Sequence, residues 1–228
     1  MLNENTVSKL QEMRLSVMAR AFRDQMKDSG FNGMSFEERF GLMVDAEWAT
    51  RKSNSMTRLI KNADYAISTA CIEDIEYHPD RNLDKMQITR LAACNYIQEC
   101  HNIIILGATG SGKTFISCSL GMAASRNFYN VKYVRLPDLL NELAVARGDG
   151  SYRKVIKQYK QIRLLILDEW LLFPLKDSET CLKLLRQDIK EPPQSSVLNS
   201  MPVAGILRSV SRHWLTLSAT ESYTIPIQ

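Results

Sequence analysis

The chain has 228 residues, 45% of them hydrophobic and 24% charged, with a net charge of +4 at pH 7. That is ordinary globular material for one domain with an appendage or for two small domains. No apolar run reaches transmembrane length, the start MLNENTVSKLQ is no secretory signal, and so small a net charge leaves any nucleic-acid contact to a local patch. The five cysteines (Cys71, Cys94, Cys100, Cys118, Cys181) are scattered and form no C-x-x-C pair, which suits reduced thiols in the cytoplasm and argues against structural zinc.

In chain order, Val7, Leu10, Met13, Val17, Met18, Ala21 and Met26 recur at helical spacing and predict one amphipathic helix over residues 6–28. Lys9, Arg14, Arg20, Arg23 and Lys27 cover its other side, either as a solvated face or as contacts to DNA phosphates. After Gly30 and Gly33, Ser35 and Glu38 make an S-x-x-E capping box that opens a second helix, with a break expected near Ser53. Arg51, Lys52, Arg58 and Lys61 gather on its second half, as surface charges or as phosphate contacts. The polar, turn-rich residues 71–87 around Pro79 read as a linker with a short extended piece, and 86–100 as a helix. His78 and His101 have no metal-ligand spacing and are read as structural.

The most informative stretch follows. Ile103, Ile104, Ile105 and Leu106 form a short apolar run, mostly β-branched, that Gly107 ends. This predicts a buried parallel strand. Gly107, Ala108, Thr109, Gly110, Ser111, Gly112, Lys113 and Thr114 complete G-x-x-x-x-G-K-[ST], and a helix is expected next. Strand, glycine loop and helix are the context in which this P-loop binds ATP. The glycines let backbone N–H groups curl around a polyphosphate, and the helix N-terminus offers further donors. Lys113 supplies charge to the β- and γ-phosphates and is a catalytic candidate, while Thr114 supplies a hydroxyl to Mg²⁺.

Val131–Val134 read as the next strand, PDLLNELAVAR as a helix broken by Gly148–Gly150, and SYRKVIKQYK as a basic helix. Leu164 to Leu167 form a second apolar run, ending in Asp168 and Glu169, 55 residues after Lys113 for the first of them. Asp168 is the Mg²⁺ candidate, and Glu169 the group that polarises the attacking water. The order β-α-β-α-β, with both motifs at strand ends, is an α/β P-loop sheet.

GATGSGKT, the turn GDGSY before a basic helix, and LLILDEWLLFPL together resemble the IstB-like transposition helper ATPases of insertion sequences, AAA+ proteins related to the helicase loader DnaC and the initiator DnaA. KLQEMRLSVMARAF and IEDIEYHPDRNLDK resemble that family's N-terminal part, so the likeness covers residues 6 to about 179. It implies a P-loop AAA+ parallel sheet flanked by helices and preceded by a small all-α domain. The implied division is a DNA-binding helical domain at 1–70, a linker at 71–87, an ATPase core at 88–179 and an aberrant tail at 180–228. It further implies ATP and Mg²⁺ as cofactors, and double-stranded DNA, an IstA-like transposase and further copies of the chain as partners. No membrane association is expected.

After Glu179 the likeness is expected to stop, with no polar residue clearly closing a strand. Permitted codons of Glu191–Ile206, read from each third base, give ASTIFCSQFDASGWH, and those of His213–Gln228 give TLADAICDRIVHDSYT, both resembling the missing family segments. Ser178–Lys190 gives RDLLEVIEARYKR in the same way, the expected helix. The reading is a frame shift near codons 178–180, with loss of the γ-phosphate sensor and of the arginine that reaches a neighbouring subunit; the alternative is real divergence or a different C-terminal module. Little ATP turnover is expected, and neither Arg208 nor Arg212 is nominated as a substitute. The competing functions are a DnaC-like helicase loader and a small-molecule P-loop kinase, although no arginine-bearing lid is evident for the latter.

Overall fold

The computed structural model describes residues 2–170, 195–200 and 222–227. The chain divides into two compact units, Met1–Arg58 and Leu59–Gln228. The division falls short of residue 70 because Ala63 and Tyr65 are buried in the core of the second unit, with Ile60 packed against it.

In the first unit, α1 (Leu2–Glu12) and α2 (Ser16–Lys27) stand where one helix over 6–28 was expected. Arg14, between them, has a left-handed φ of 59°. The break is stabilised from outside the segment. Leu15 precedes α2 and has no side-chain oxygen with which to cap it. Glu47, on α3 (Phe36–Ala63), replaces the cap by accepting the N–H groups of Val17 and Met18, both at 3.0 Å. Arg51 donates to Glu47 at 2.7 Å and to the Arg14 carbonyl at 2.7 Å. Arg51 is therefore a tie between helices as well as a surface charge.

The capping box forms as expected: Glu38 accepts from the Ser35 N–H at 2.8 Å and donates its own N–H to Ser35 Oγ at 3.2 Å. The expected break near Ser53 is absent, since α3 runs unbroken through it. A buried Gln25 side chain links α2 to α3 by donating to the Arg39 carbonyl at 2.8 Å.

In the second unit, the linker holds two 3-10 turns, Ile72–Asp74 and Pro79–Arg81. The helix expected over 86–100 is two pieces, α4 (Lys85–Ala92) and α5 (Asn95–Gln98), because Cys94 takes a left-handed φ of 63° between them. Asp84 caps α4 through the Met86 N–H.

The remaining elements are β1 (Asn102–Gly107), α6 (Lys113–Arg126), β2 (Val131–Arg135), α7 (Leu136–Gly148), α8 (Tyr152–Lys160), β3 (Leu164–Trp170), β4 (Ser195–Ser200) and β5 (Ser222–Ile227). The five strands are all parallel, in the order β2-β3-β4-β1-β5.

Both faces of the sheet are covered, which is why β1 and β3 carry continuous apolar runs. Ile103, Ile105, Leu164 and Ile166 pack on one face with Ile116 and Leu120 of α6 and with Ile88 and Leu91 of α4. Leu165 and Leu167 face the other side with Leu139 and Leu143 of α7 and Tyr159 of α8, and Ile104 and Val134 lie against them. The period of two along each strand thus feeds two cores.

The tail expected to be aberrant contributes two strands to the sheet. Contrary to the expectation that no polar residue closes a strand there, β4 ends in Asn199 and Ser200 and lies between β1 and β3, with Ile105 opposite Asn199 and Leu106 opposite Ser200. A short apolar pair, Val197–Leu198, is enough for a strand with a neighbour on each side. β5 pairs with β1 along its whole length. Residues 171–194 and 201–221, including Arg208, Arg212 and the expected helix over 178–190, lie outside the described residues.

Candidate nucleotide-binding site

The loop between β1 and α6 is shaped by its glycines. Gly110 and Gly112 have φ of +82° and +89°, a region that L side chains rarely adopt. Gly107 is required for a different reason. A Cβ there would lie 2.5 Å from the Ile227 carbonyl oxygen and 2.7 Å from Ser111 Oγ. The last residue of β5 thus presses on the start of the loop. The Ser111 N–H closes the turn on the Ala108 carbonyl at 3.2 Å.

Lys113 folds back over the loop. Its ammonium donates to the carbonyls of Gly107 at 3.0 Å and Ala108 at 2.7 Å. Burial pushes its pKa down, and the Asp168 carboxylate opposes that shift. The ammonium rests on neutral carbonyls, which an anionic phosphate would replace with a charge-assisted bond. Ser111 Oγ is buried without a hydrogen-bond partner among the described residues. A cation on neutral acceptors, an unpaired loop hydroxyl and the first N–H groups of α6 together fit a polyphosphate.

Asp168 is buried and accepts three hydrogen bonds. Thr114 Oγ1 and the Tyr133 hydroxyl both donate to Oδ2 at 2.7 Å, and the Glu169 N–H donates to Oδ1 at 2.8 Å. The structure therefore brings Thr114 and Asp168 together from opposite ends of the motif spacing. Two hard oxygen groups in contact beside a phosphate loop are the donor set that a Mg²⁺·nucleotide complex takes. Tyr133, on β2, was not among the sequence candidates. Its phenol is held well above its ordinary pKa, first by burial and then by its bond to Asp168, so it stays a donor.

Glu169 lies at an irregularity of the sheet. β3 shifts register against β4 between Leu167 and Trp170, and Glu169 has a left-handed φ of 57°, unusual for a residue with a Cβ. Its carboxylate accepts from Arg135, at the end of β2, at 2.7 Å. Arg135 lies opposite Asp168 in the β2–β3 register, which carries its side chain to the neighbouring carboxylate. Arg135 is the second residue the sequence did not suggest. His78 and His101 lie beside Glu76 and Glu99, each at 3.2 Å. Among the described residues no cluster of His, Cys, Asp and Glu forms a separate metal site.

Comparison with known proteins agrees with this geometry. Residues 8–200 match the family model of the IstB-like ATP binding protein. The likeness thus extends past Glu179, where it was expected to stop. The chain is 36% identical over 230 residues to the ATP-binding protein named for insertion sequence IS1162 of Pseudomonas fluorescens, covering all of both chains. It is 34% identical over 177 residues to the insertion-sequence ATP-binding protein y4pL of Sinorhizobium fredii, covering 78% of this chain and 72% of that one.

Among solved structures, DnaA of Aquifex aeolicus bound to AMPPCP aligns with a TM-score of 0.59 at 19% identity, over 71% of this chain and 51% of that one. The DnaC helicase loader aligns with a TM-score of 0.57 at 15% identity, over 70% of this chain and 97% of that one. At such identities the two structures speak for the fold, that of P-loop AAA+ proteins.

Proposed function

The chain belongs to the IstB-like ATP-binding family, and from that premise we propose that it is the ATP- and DNA-binding helper of insertion-sequence transposition. It acts with an IstA-like transposase to select target DNA. The observation that carries this reading is a single chain that joins a complete P-loop and its Asp168 to a separate helical unit with exposed arginines and lysines, in a family whose members are named for insertion sequences.

In this reading residues 107–114 hold the ATP phosphates, Lys113 supplies charge, and Thr114 and Asp168 hold Mg²⁺. Held there, Mg²⁺ would supply neutralisation of the phosphate charge. Glu169 orients water. The helical domain takes duplex DNA. Residues 1–58 carry nearly balanced charge, so the DNA contact is local: Arg20, Arg23 and Lys27 lie exposed on one face of α2. Function in the cytoplasm and as a homo-oligomer belongs to the same proposal. Among the described residues no helix is long and apolar enough to cross a membrane.

We propose that turnover by this chain is low. The Arg135–Glu169 pair supports this, because it holds the carboxylate that would otherwise face water. For the sequence after Glu179 we propose a shifted reading frame, on the strength of the long shifted reading. The end-to-end match with the Pseudomonas relative opposes it. The gene sequence decides: codons that do not permit the shifted reading remove the proposal. The second reading is a DnaC-like loader, favoured by the near-complete coverage of that structure.

The test is Mg²⁺·ATP hydrolysis with and without duplex DNA, for this chain and for one with the frame restored after Glu179. DNA-stimulated turnover in the restored chain alone supports the helper with an impaired tail. Turnover by the present chain overturns the impairment, and no turnover in either overturns the helper. Co-purification with a replicative helicase instead of the transposase selects the loader.

A further inference from the structure

Lys113 holds the first end of the phosphate loop. A second cation, from a distant stretch of sequence, holds its other end. Arg81 closes the Pro79–Arg81 turn of the linker, and its guanidinium forks between two backbone carbonyls. Nη1 donates to the Glu76 carbonyl and Nη2 to the Ser111 carbonyl, each at 2.9 Å. Nη2 also lies 2.9 Å from where a Cβ on Gly112 would stand, so the glycine makes room for the arginine as well as for its own φ of +89°.

The carbonyl of Ser111 and the N–H of Gly112 belong to one planar trans peptide and point in opposite directions. A guanidinium fixed on the carbonyl sets that peptide plane. It thereby directs the Gly112 N–H to the side of the peptide away from Arg81. Arginine is suited to this because it keeps its charge at any working pH and its planar fork reaches two acceptors at once.

Resting on the nucleotide-site reading above, we infer that Arg81 is a positioning residue for nucleotide binding, and that through it the linker at 76–81 and the phosphate loop are energetically coupled. The coupling is reciprocal: a ligand that favours the set loop also favours the docked linker. Residues 76–81 lie within the second unit, so nucleotide occupancy is registered in the turn-rich segment that precedes the phosphate loop in sequence.

Two measurements on the full chain test this. The first is affinity for a fluorescent ADP, ATP and adenosine in wild type, Arg81→Ala and Arg81→Lys. Arg81→Ala weakens ADP and ATP alike by about tenfold, the size of a lost outer-shell contact. It leaves adenosine, which has no phosphate to meet the loop, unchanged, and Arg81→Lys recovers part of the loss because a point charge satisfies one carbonyl. The second is amide hydrogen exchange over residues 72–82 with and without ATP. Wild type gains protection there on binding ATP, and Arg81→Ala loses that gain while still binding ATP at saturating concentration.

Unchanged ATP affinity in Arg81→Ala, or equal loss for adenosine, overturns the inference. So does a wild-type linker whose exchange ignores ATP, a result that needs no variant to fold. If wild type binds ATP and these outcomes appear, the inference alone fails. If wild type binds no nucleotide, the site reading fails and takes the inference with it.

Discussion

The two units of this chain are organised in different ways. In the second unit the phosphate loop is a contiguous stretch of sequence, and the fold presents it at the end of β1. In the helical unit what holds the structure is a contact between segments about thirty residues apart, the Glu47 carboxylate on the N-terminus of α2. The comparison teaches that a motif read along the chain specifies its own local geometry. A helix boundary set by a distant side chain leaves no local mark.

The largest expected effect is local to the motif. Lys113→Ala removes the only full charge within the loop. It should weaken ATP binding by about 10- to 100-fold or more, the range for losing hydrogen bonds to charged groups, measured by titration with a fluorescent ATP analogue. Helical content should not change. A matching loss of helix would break the comparison, because it would make the helical unit depend on the motif.

Gly107→Ala tests whether the site also depends on the far end of the chain. The added Cβ meets the Ile227 carbonyl at 2.5 Å and must displace β5 or the loop. The expected cost is about 1–3 kcal/mol, as for overpacking elsewhere, seen as a lower urea midpoint together with weakened ATP binding. Unchanged stability would mean that β5 does not support the loop.

Tyr133→Phe removes one donor from the buried Asp168 and leaves the ring in place. The Mg²⁺ concentration needed for tight ATP binding should rise about tenfold, as for a lost outer-shell partner, with Mg²⁺-free binding unaffected. An unchanged Mg²⁺ titration would mean that the phenol plays no part in holding the carboxylate.

Glu47→Ala gives the smallest expected effect and addresses the helical unit alone. It leaves the Val17 and Met18 N–H groups without their acceptor and should cost about 1–2 kcal/mol, as for a lost helix cap, read as a lower thermal midpoint. The Met18 N–H first, and then Arg51, hold the Glu47 carboxyl below its ordinary 4.5, against the opposite effect of burial. A depressed folded-state pKa gives stability that is fully present above 4.5 and is lost as pH falls through the lower folded value. The wild type should therefore lose stability on acidification below pH 4.5 more steeply than Glu47→Gln. ATP affinity in Glu47→Ala should be unchanged.

The apolar runs Ile103–Leu106 and Leu164–Leu167 and the loop between Gly107 and Thr114 were legible because burial on both faces and a phosphate-sized turn each impose a residue pattern. Tyr133 and Arg135 were not, because their contacts depend on β2 pairing with β3 in a register that puts Arg135 opposite Asp168. The available signal was their spacing: residues two apart on a strand share a face, so the partners of one carboxylate imply the direction of the other side chain. The break at Arg14 was hidden because the helical period runs through it, and Glu47 reads in sequence as one more surface acid. β4 was missed because its apolar part is only Val197–Leu198, and its place between two strands comes from the sheet.

The most direct test of the central claim is the affinity of a labelled duplex DNA for the full chain, measured by fluorescence anisotropy with and without Mg²⁺·ATP, beside Lys113→Ala. The account predicts that Mg²⁺·ATP tightens duplex binding by wild type and has no effect on the variant. Duplex binding that is absent, or that ignores ATP in both proteins, would contradict it.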